Sequence, residues 1–149
     1  MVRSIHSCTK AVVGAAIRGA IDAGDVRREE LWITSKLWCN VHGRDNVEGA
    51  LRRTLADLRL DWLDLYLIHW PVPIKPGLAF PSSGGDLLPL AQVPLADTWK
   101  GMEAALEAGL TPADLAQIAG LDQHRRLVDG AFWLLEGSPW SLQSLWDEG

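Results

Sequence analysis

Apolar residues recur at helical spacing in several stretches of the chain. Between them lie short runs in which both the odd and the even positions are apolar. The first helix is predicted over Thr9–Ala23, and it ends before Gly24, a residue type favoured in the left-handed position after a helix. A second helix is predicted over Asp45–Leu58, with Asp45 and Glu48 as a capping pair at its start. Each stretch predicts a helix that packs one face against a core.

The short apolar runs predict strands. Leu31–Ser35 and Leu63–His69 are rich in leucine, β-branched and aromatic residues, as is typical of strands that are covered on both faces. Pro71 follows the second run and cannot donate to a strand ladder. The order helix, strand, helix, strand, helix therefore predicts an α/β fold with two parallel strands joined by a right-handed crossover.

The remainder of the chain gives weaker signals. Residues Pro71–Pro94 are rich in proline and glycine and predict a long surface loop, of a kind that often covers a binding site. Thr98 is predicted to cap a third helix, and Thr111 with Pro112 a fourth. The tail from Leu121 carries several tryptophans, and its pattern assigns no element.

Composition excludes several classes of protein. The 149 residues are 48% hydrophobic and 22% charged, which fits one domain over residues 1–149 and excludes a disordered chain. The net charge of −5 and the lack of a basic cluster argue against nucleic acid and anionic membranes as partners. No apolar stretch approaches the ~20 residues that span a bilayer. Two cysteines, Cys8 and Cys39, predict free thiols in a reducing, cytoplasmic setting.

Candidate chemistry lies at the ends of the two predicted strands. Lys36 and His69 each end a strand, and side-chain alternation with parallel pairing predicts that they share one face. Catalytic groups of parallel α/β folds lie at the carboxyl ends of strands, where Trp38 and Trp70 could form the walls of a pocket. The alternative is structural, with Lys36 a solvated lysine and His69 a half-buried, hydrogen-bonded histidine.

A metal site is the other chemistry that the sequence raises. His6 and Cys8 form one close pair of possible zinc ligands, and Cys39 and His42 form another, but the spacing differs from that of zinc fingers. We expect no metal, with the first pair in a frayed terminus and the second in the loop after the first strand. Asp61 and Asp64 are expected to be solvated carboxylates, without a convergent partner.

Three segments resemble the aldo-keto reductases, which are NADPH-dependent carbonyl reductases with a (β/α)8 barrel. They are TSKLW at Thr34–Trp38, the helix and strand over Ala50–Pro71, and TWKGMEAALEAG at Thr98–Gly109. Residues 1–109 resemble the second to fourth βα units of that family, and residues 110–149 resemble its last helix and C-terminal tail. The resemblance implies an incomplete (β/α)8 TIM-barrel fragment with parallel strands and flanking helices.

The resemblance also implies roles for individual residues. Lys36 would be the lysine of the catalytic tetrad, and His69 would orient and polarise the carbonyl of a small substrate. Trp38 and Trp70 would line the substrate pocket, and the cofactor would be NADP(H). The developing alkoxide of a reduced carbonyl needs such a donor, and a nearby cation lowers the pKa of a phenol that supplies the proton.

The phenol itself is missing from the expected place. The family has its tyrosine and a partner aspartate before the first helix, where this chain has Met1–Cys8, which lacks both. Tyr66 is the one tyrosine, and its odd separation from His69 puts it on the opposite face of the strand. The residues that hold the nicotinamide and the 2′-phosphate lie on family strands with no counterpart here, and a barrel takes ~250 residues.

Two functional interpretations follow. The first is an aldo-keto reductase whose parent chemistry is the reduction of aldehydes and ketones with NADPH, lacking strands through truncation, deletion or a gene-model error. The alternative is a catalytically inactive remnant that acts by protein interaction. Either version leaves strand edges and apolar faces open, so we expect self-association through the open strands.

Overall fold

The computed structural model describes residues 5–107, 131–141 and 144. Five longer elements follow one another in this part of the chain: α1 (Ile5–Ala23), β1 (Thr34–Leu37), α2 (Arg44–Leu58), β2 (Leu65–Ile68) and α3 (Leu95–Glu107). Short 3-10 helices lie between or after them: Arg28–Glu30, Cys39–Val41, Gly84–Asp86 and Ala131–Trp133. Gly24 after α1 has a positive φ of 78°, as the sequence predicted.

The two strands are parallel neighbours joined by α2, which confirms the predicted parallel pairing. Thr34 pairs with Leu65 and Leu37 pairs with Ile68 at the two ends of the register. β1 begins three residues later than predicted and extends to Leu37. The backbone N–H of Ile33 donates to a side chain, the Asp64 carboxylate, at 2.6 Å. Regular strand geometry therefore begins only after Ile33.

The first hydrophobic core lies between the sheet and the helices. Leu37 and Tyr66 project from the strands towards α2, whose buried positions include Val47 and Leu58. The predicted capping pair at the start of α2 is wrong. Gly43, with a φ of 98°, is the N-cap and no side chain caps the helix, while Glu48 instead bonds Arg52. The tight exit from the preceding 3-10 turn requires this positive φ, which glycine adopts without strain.

Helix α1 packs on α2 at a point of very close approach. A Cβ atom at Gly14 would lie 2.6 Å from the carbonyl oxygen of Asp57 and from the backbone of Leu58. The Lys10 ammonium adds a hydrogen bond to the Thr54 hydroxyl at 2.8 Å. The apolar stripe of α1 is only partly covered, since Val13 remains 44% exposed.

Helix α3 begins earlier than the sequence predicted. Its first residue is Leu95, directly after Pro94, so Thr98 lies within the first turns and is not a cap. Thr98 is fully buried, and its hydroxyl accepts a hydrogen bond from the N–H of Gly43 at 3.0 Å. The residue therefore ties α3 to the start of α2. The predicted fourth helix at Thr111 and Pro112 lies outside the described residues.

The Pro71–Pro94 segment is less of a surface loop than predicted. Ile74 and Leu87 form an isolated antiparallel bridge, and both side chains are buried in a second hydrophobic core. Trp133 and Trp140 of the unassigned tail belong to the same core. The segment and the tail thus bury each other.

Asp64 is a correction to the sequence analysis, because it is not solvated. Its carboxylate accepts a 2.9 Å bond from the Arg28 guanidinium as well as the bond from Ile33, and both charged side chains are about nine-tenths buried. Arg28 also stacks on the Trp62 ring at 3.4 Å. The pair joins the turn before β1 to the start of β2.

Candidate functional site

Lys36 and His69 lie on the same side of the sheet. Lys36 is opposite Leu67 in the register, and His69 follows Leu67 by two residues, so alternation points both side chains to one face. The N–H of His69 donates to the carbonyl of Leu37 at 3.1 Å, which continues the ladder past β2. Both residues therefore stand towards the carboxyl ends of parallel strands, as the sequence predicted.

Aromatic rings surround His69. Its imidazole centroid lies 5.2 Å from that of Trp38 and 6.1 Å from that of Trp70. The Phe80 ring lies edge-to-face with Trp38, with the ring centroids 5.3 Å apart. The Trp38 indole N–H donates to the Ala79 carbonyl at 2.7 Å, which holds the ring in place. The histidine thus lies beside two tryptophan rings.

Trp133 is a member of this cluster that the sequence analysis did not assign. It is fully buried, and its ring lies 5.5 Å from Trp70 and 6.5 Å from Trp38. The only sequence signal was the tryptophan-bearing tail, whose partners lie more than sixty residues earlier in the chain. Its placement depends on tertiary packing.

Tyr66 lies on the opposite face, towards α2, as predicted. It is buried, and burial raises the pKa of its phenol to about 12, an effect that a hydrogen bond with Thr54 and the charge of Arg53 reduce only in part. A proton donor near neutrality needs its pKa lowered. Tyr66 therefore has neither the position nor the acidity for that task.

Cys39 and His42 lie after β1, where the sequence put them, but they are buried. Burial raises the pKa of the Cys39 thiol to about 12 and lowers that of the His42 imidazole to about 4. Cys39 is a free thiol. Over the described part of the chain, no three His, Cys, Asp or Glu side chains form a group that could hold a metal ion. The backbone of His6 and Cys8 lies at the start of α1.

NADP(H) is the cofactor that the resemblance implies. A dinucleotide needs donors for its pyrophosphate, commonly a glycine-rich turn at a helix N-terminus. The residues that directly follow β1 and β2 are mostly aromatic or apolar, and the Asn40 amide already donates to the Leu78 carbonyl at 2.7 Å. These described residues do not by themselves form a nucleotide site.

The fold and the site define a class of protein, an α/β protein whose candidate residues lie at the carboxyl ends of parallel strands. Residues 9–118 match the sequence profile of the aldo/keto reductase family. The chain therefore belongs to the aldo/keto reductase family.

Curated relatives and solved structures agree with this membership. An aldo/keto reductase of Synechocystis is 54% identical over 101 residues, which cover 68% of this chain and 31% of the relative. The NAD(P)H-dependent D-xylose reductase of Scheffersomyces stipitis is 48% identical over 107 residues, which cover 66% of this chain and 33% of the relative. This chain thus spans about a third of the length of the curated relatives it matches.

Among solved structures, the aldose reductase of Schistosoma japonicum is similar with a TM-score of 0.61 and 36% identity. The match covers 76% of this chain and 41% of that one. A Bombyx mori aldo-keto reductase in complex with NADP gives a TM-score of 0.57 and 34% identity, over 79% of this chain and 38% of that one. The partial α/β unit seen here is consistent with a fragment of the (β/α)8 fold that these neighbours imply. In the described residues, no helix is both long and apolar enough to cross a bilayer.

Proposed function

We propose that this chain carries the carbonyl-recognising part of an enzyme that reduces aldehydes and ketones to alcohols with NADPH. The observation that carries the proposal is the position of His69 and Lys36 on one side of the sheet, next to the ring of Trp38. In this proposal His69 donates a hydrogen bond to the carbonyl oxygen, which polarises the carbon towards a hydride. Lys36 supplies positive charge on the side where negative charge develops on oxygen.

The aromatic residues act in substrate binding in this proposal. Trp38 and Trp70 give flat apolar surfaces next to His69, and a low-dielectric surface strengthens each polar interaction with the carbonyl. NADPH would supply the hydride, and the described residues do not account for its binding. Similarity to NAD(P)H-dependent D-xylose reductases of Scheffersomyces stipitis and Candida tropicalis supports a reductase function.

In the alternative, a catalytically inactive remnant acts by protein interaction, and that interaction role gains no support from the comparisons, because the relatives are named as reductases and oxidoreductases. We also propose a cytoplasmic setting, which suits the free, buried thiol of Cys39.

The binding half of the proposal is tested with a small aromatic aldehyde and the full 149-residue chain. We expect saturable quenching of tryptophan fluorescence, because Trp38 and Trp70 line the site, and an affinity reduced about tenfold or more in His69→Ala, which loses the hydrogen bond to the carbonyl. Arg52→Ala is the matched control, since Arg52 is exposed on the far side of α2 in a pair with Glu48. Equal affinity in the His69 and Arg52 variants would contradict the assignment of His69.

The chemical half is tested by NADPH oxidation with the same aldehyde. We expect no turnover by this polypeptide, because Tyr66 faces α2 and general acid catalysis contributes ~10² to 10⁴ in rate. Steady NADPH oxidation that His69→Ala abolishes would show that another group supplies the proton, and would overturn the conclusion drawn from Tyr66.

A further inference from the structure

Between α1, α2 and the strands lies a cavity of about 300 Å³, which reaches the lower end of the size range of small-molecule sites. Two buried hydroxyls line it, those of Thr54 and Tyr66. Tyr66 faces α2, whereas Lys36 and His69 project from the opposite face of the sheet. Neither hydroxyl therefore has a role in the reduction of a carbonyl.

The two hydroxyls form a chain with an ammonium group. The half-buried Lys10 ammonium donates to the Thr54 hydroxyl at 2.8 Å, and Thr54 also makes a hydrogen bond with the Tyr66 phenol. An ammonium has three N–H donors, and Thr54 takes only one of them. Burial raises the pKa of Tyr66 to about 12, so at neutral pH the phenol keeps the proton that it can donate. The cavity is therefore rich in donors.

The charges that line the cavity do not balance. Lys10 and Arg53 are both positive, and Asp57 is the one acidic side chain among the described residues that line it. Asp57 raises the pKa of Lys10, but burial has the larger effect and leaves that pKa lowered. No carboxylate in the described part of the chain pairs with Arg53, whereas the adjacent Arg52 pairs with Glu48. A bound anion would supply the missing negative charge.

The set of donors fits a phosphate group better than a carboxylate. A guanidinium binds two phosphate oxygens through parallel N–H bonds, and ammonium and phenol donors can bind the remaining oxygens. A carboxylate has only two oxygens for the same three side chains. A phosphate ion alone would leave part of the 300 Å³ empty, so the cavity also has room for a short organic group.

We propose that this cavity binds the phosphate group of a small phosphate monoester, which Arg53, Lys10 and the Tyr66 hydroxyl hold. Lys36 borders the cavity at the edge of β1, but its side chain belongs to the face of His69, and the site does not depend on it. The proposal is independent of carbonyl reduction, because the two sets of side chains lie on opposite faces of the sheet.

Calorimetric titration of the full 149-residue chain with glycerol 3-phosphate tests the proposal. We expect saturable binding, at least tenfold tighter than that of glycerate, a carboxylate of similar size. Glycerate that binds equally well, or glycerol 3-phosphate that does not saturate, would overturn the recognition of phosphate. Inorganic phosphate distinguishes the ester from the free ion. If the ion binds as tightly as glycerol 3-phosphate, the assignment of an ester is wrong.

Arg53→Gln and Arg52→Gln form a matched pair, because the two residues are adjacent on α2 and both are exposed. Arg53→Gln should weaken the binding of glycerol 3-phosphate at least tenfold, since it removes the guanidinium. Arg52→Gln should leave the affinity unchanged, because Arg52 does not line the cavity. Equal affinities in the two variants would contradict the site.

Tyr66→Phe keeps the buried ring and removes only the hydroxyl. It should weaken binding about tenfold, the effect of one hydrogen bond to a charged group. An unchanged affinity would exclude the phenol from the site.

Phosphorus NMR of glycerol 3-phosphate with the unsubstituted chain gives a readout that does not depend on the folding of a variant. Nearby cations favour the dianion, so the second pKa of the bound ester should lie below its free value of about 6. An unshifted titration of the bound ester would show that no cation contacts the phosphate, and would overturn the proposal.

Discussion

At the scale of single residues, one buried ion pair fixes the turn before β1. Arg28 and Asp64 form an ion pair that water scarcely reaches, and the same carboxylate accepts the N–H of Ile33. Exposed pairs such as Glu48 with Arg52 are worth little because water and salt screen them. An ion pair therefore contributes more to the free energy of unfolding when it is buried than when it is exposed.

Asp64→Ala is expected to lower the free energy of unfolding by about 3 to 5 kcal/mol, because it removes the carboxylate that balances the buried Arg28 charge and accepts the Ile33 amide. Arg28 keeps its bonds to the Leu31 and Trp62 carbonyls. Glu48→Ala should cost about 0.5 kcal/mol or less. Urea denaturation of the two variants measures both values. Similar losses would contradict the structural role of the buried pair.

His42 makes stability depend on pH. Burial lowers its pKa from 6.5 to about 4 in the folded chain, so the unfolded chain binds a proton first as the pH falls. The stability is therefore complete above about pH 7 and decreases as the pH falls towards 4, with a loss of about 2 kcal/mol by pH 5. His42→Phe should flatten the curve of unfolding free energy between pH 7 and 5. An unchanged slope in His42→Phe would mean that another group causes the pH dependence of stability.

At the scale of elements, glycines set the spacing of the helices. Gly14 lies against the end of α2, where a Cβ would meet backbone at 2.6 Å, while a Cβ at Gly19 in the same helix would meet nothing within 4 Å. Gly14 thus allows the approach of two helices, and Gly19 does not take part in it.

Gly14→Ala should destabilise the chain by about 1 to 3 kcal/mol, because α1 must move away from α2. Gly19→Ala should stabilise it by about 0.5 to 1 kcal/mol, because alanine is the better helix former. Chemical denaturation gives both values, and a change of the same sign in the two variants would disprove the close approach.

At the scale of the whole molecule, the tail closes over the second core. Gly84 donates to the carbonyl of Glu136 at 3.0 Å, and a Cβ there would overlap the backbone of Gly137 and Ser138. Next to it, a Cβ at Gly85 would approach only the Ser83 hydroxyl, at 3.7 Å. This contact places Trp133 against the candidate site.

Gly84→Ala is expected to release the tail, with faster hydrogen exchange in residues 131–141 and a loss of about 1 to 3 kcal/mol in stability. Gly85→Ala should leave both quantities unchanged. Exchange measured by mass spectrometry on that peptide distinguishes the two variants. Protection that persists in Gly84→Ala would mean that the tail is held by other contacts.

Local patterns in the sequence determined the helices α1 and α2, the parallel pairing of two strands and the shared face of Lys36 and His69. These features depend on the periods of helix and strand and on the handedness of a crossover, which neighbouring residues specify. The TSKLW segment and its downstream partner also identified the family, which the comparisons confirmed.

Tertiary structure decided what neighbouring residues do not encode. From its sequence context Asp64 is predicted to be a surface carboxylate, but in the structure it pairs with the buried Arg28. Thr98 is predicted to cap a helix, but α3 begins earlier, at Leu95. Trp133 joins the site through packing against Trp70, more than sixty residues earlier in the chain. Burial and partners depend on contacts between distant parts of the chain, whereas periodicity is local, and this difference separates what was predicted from what was not.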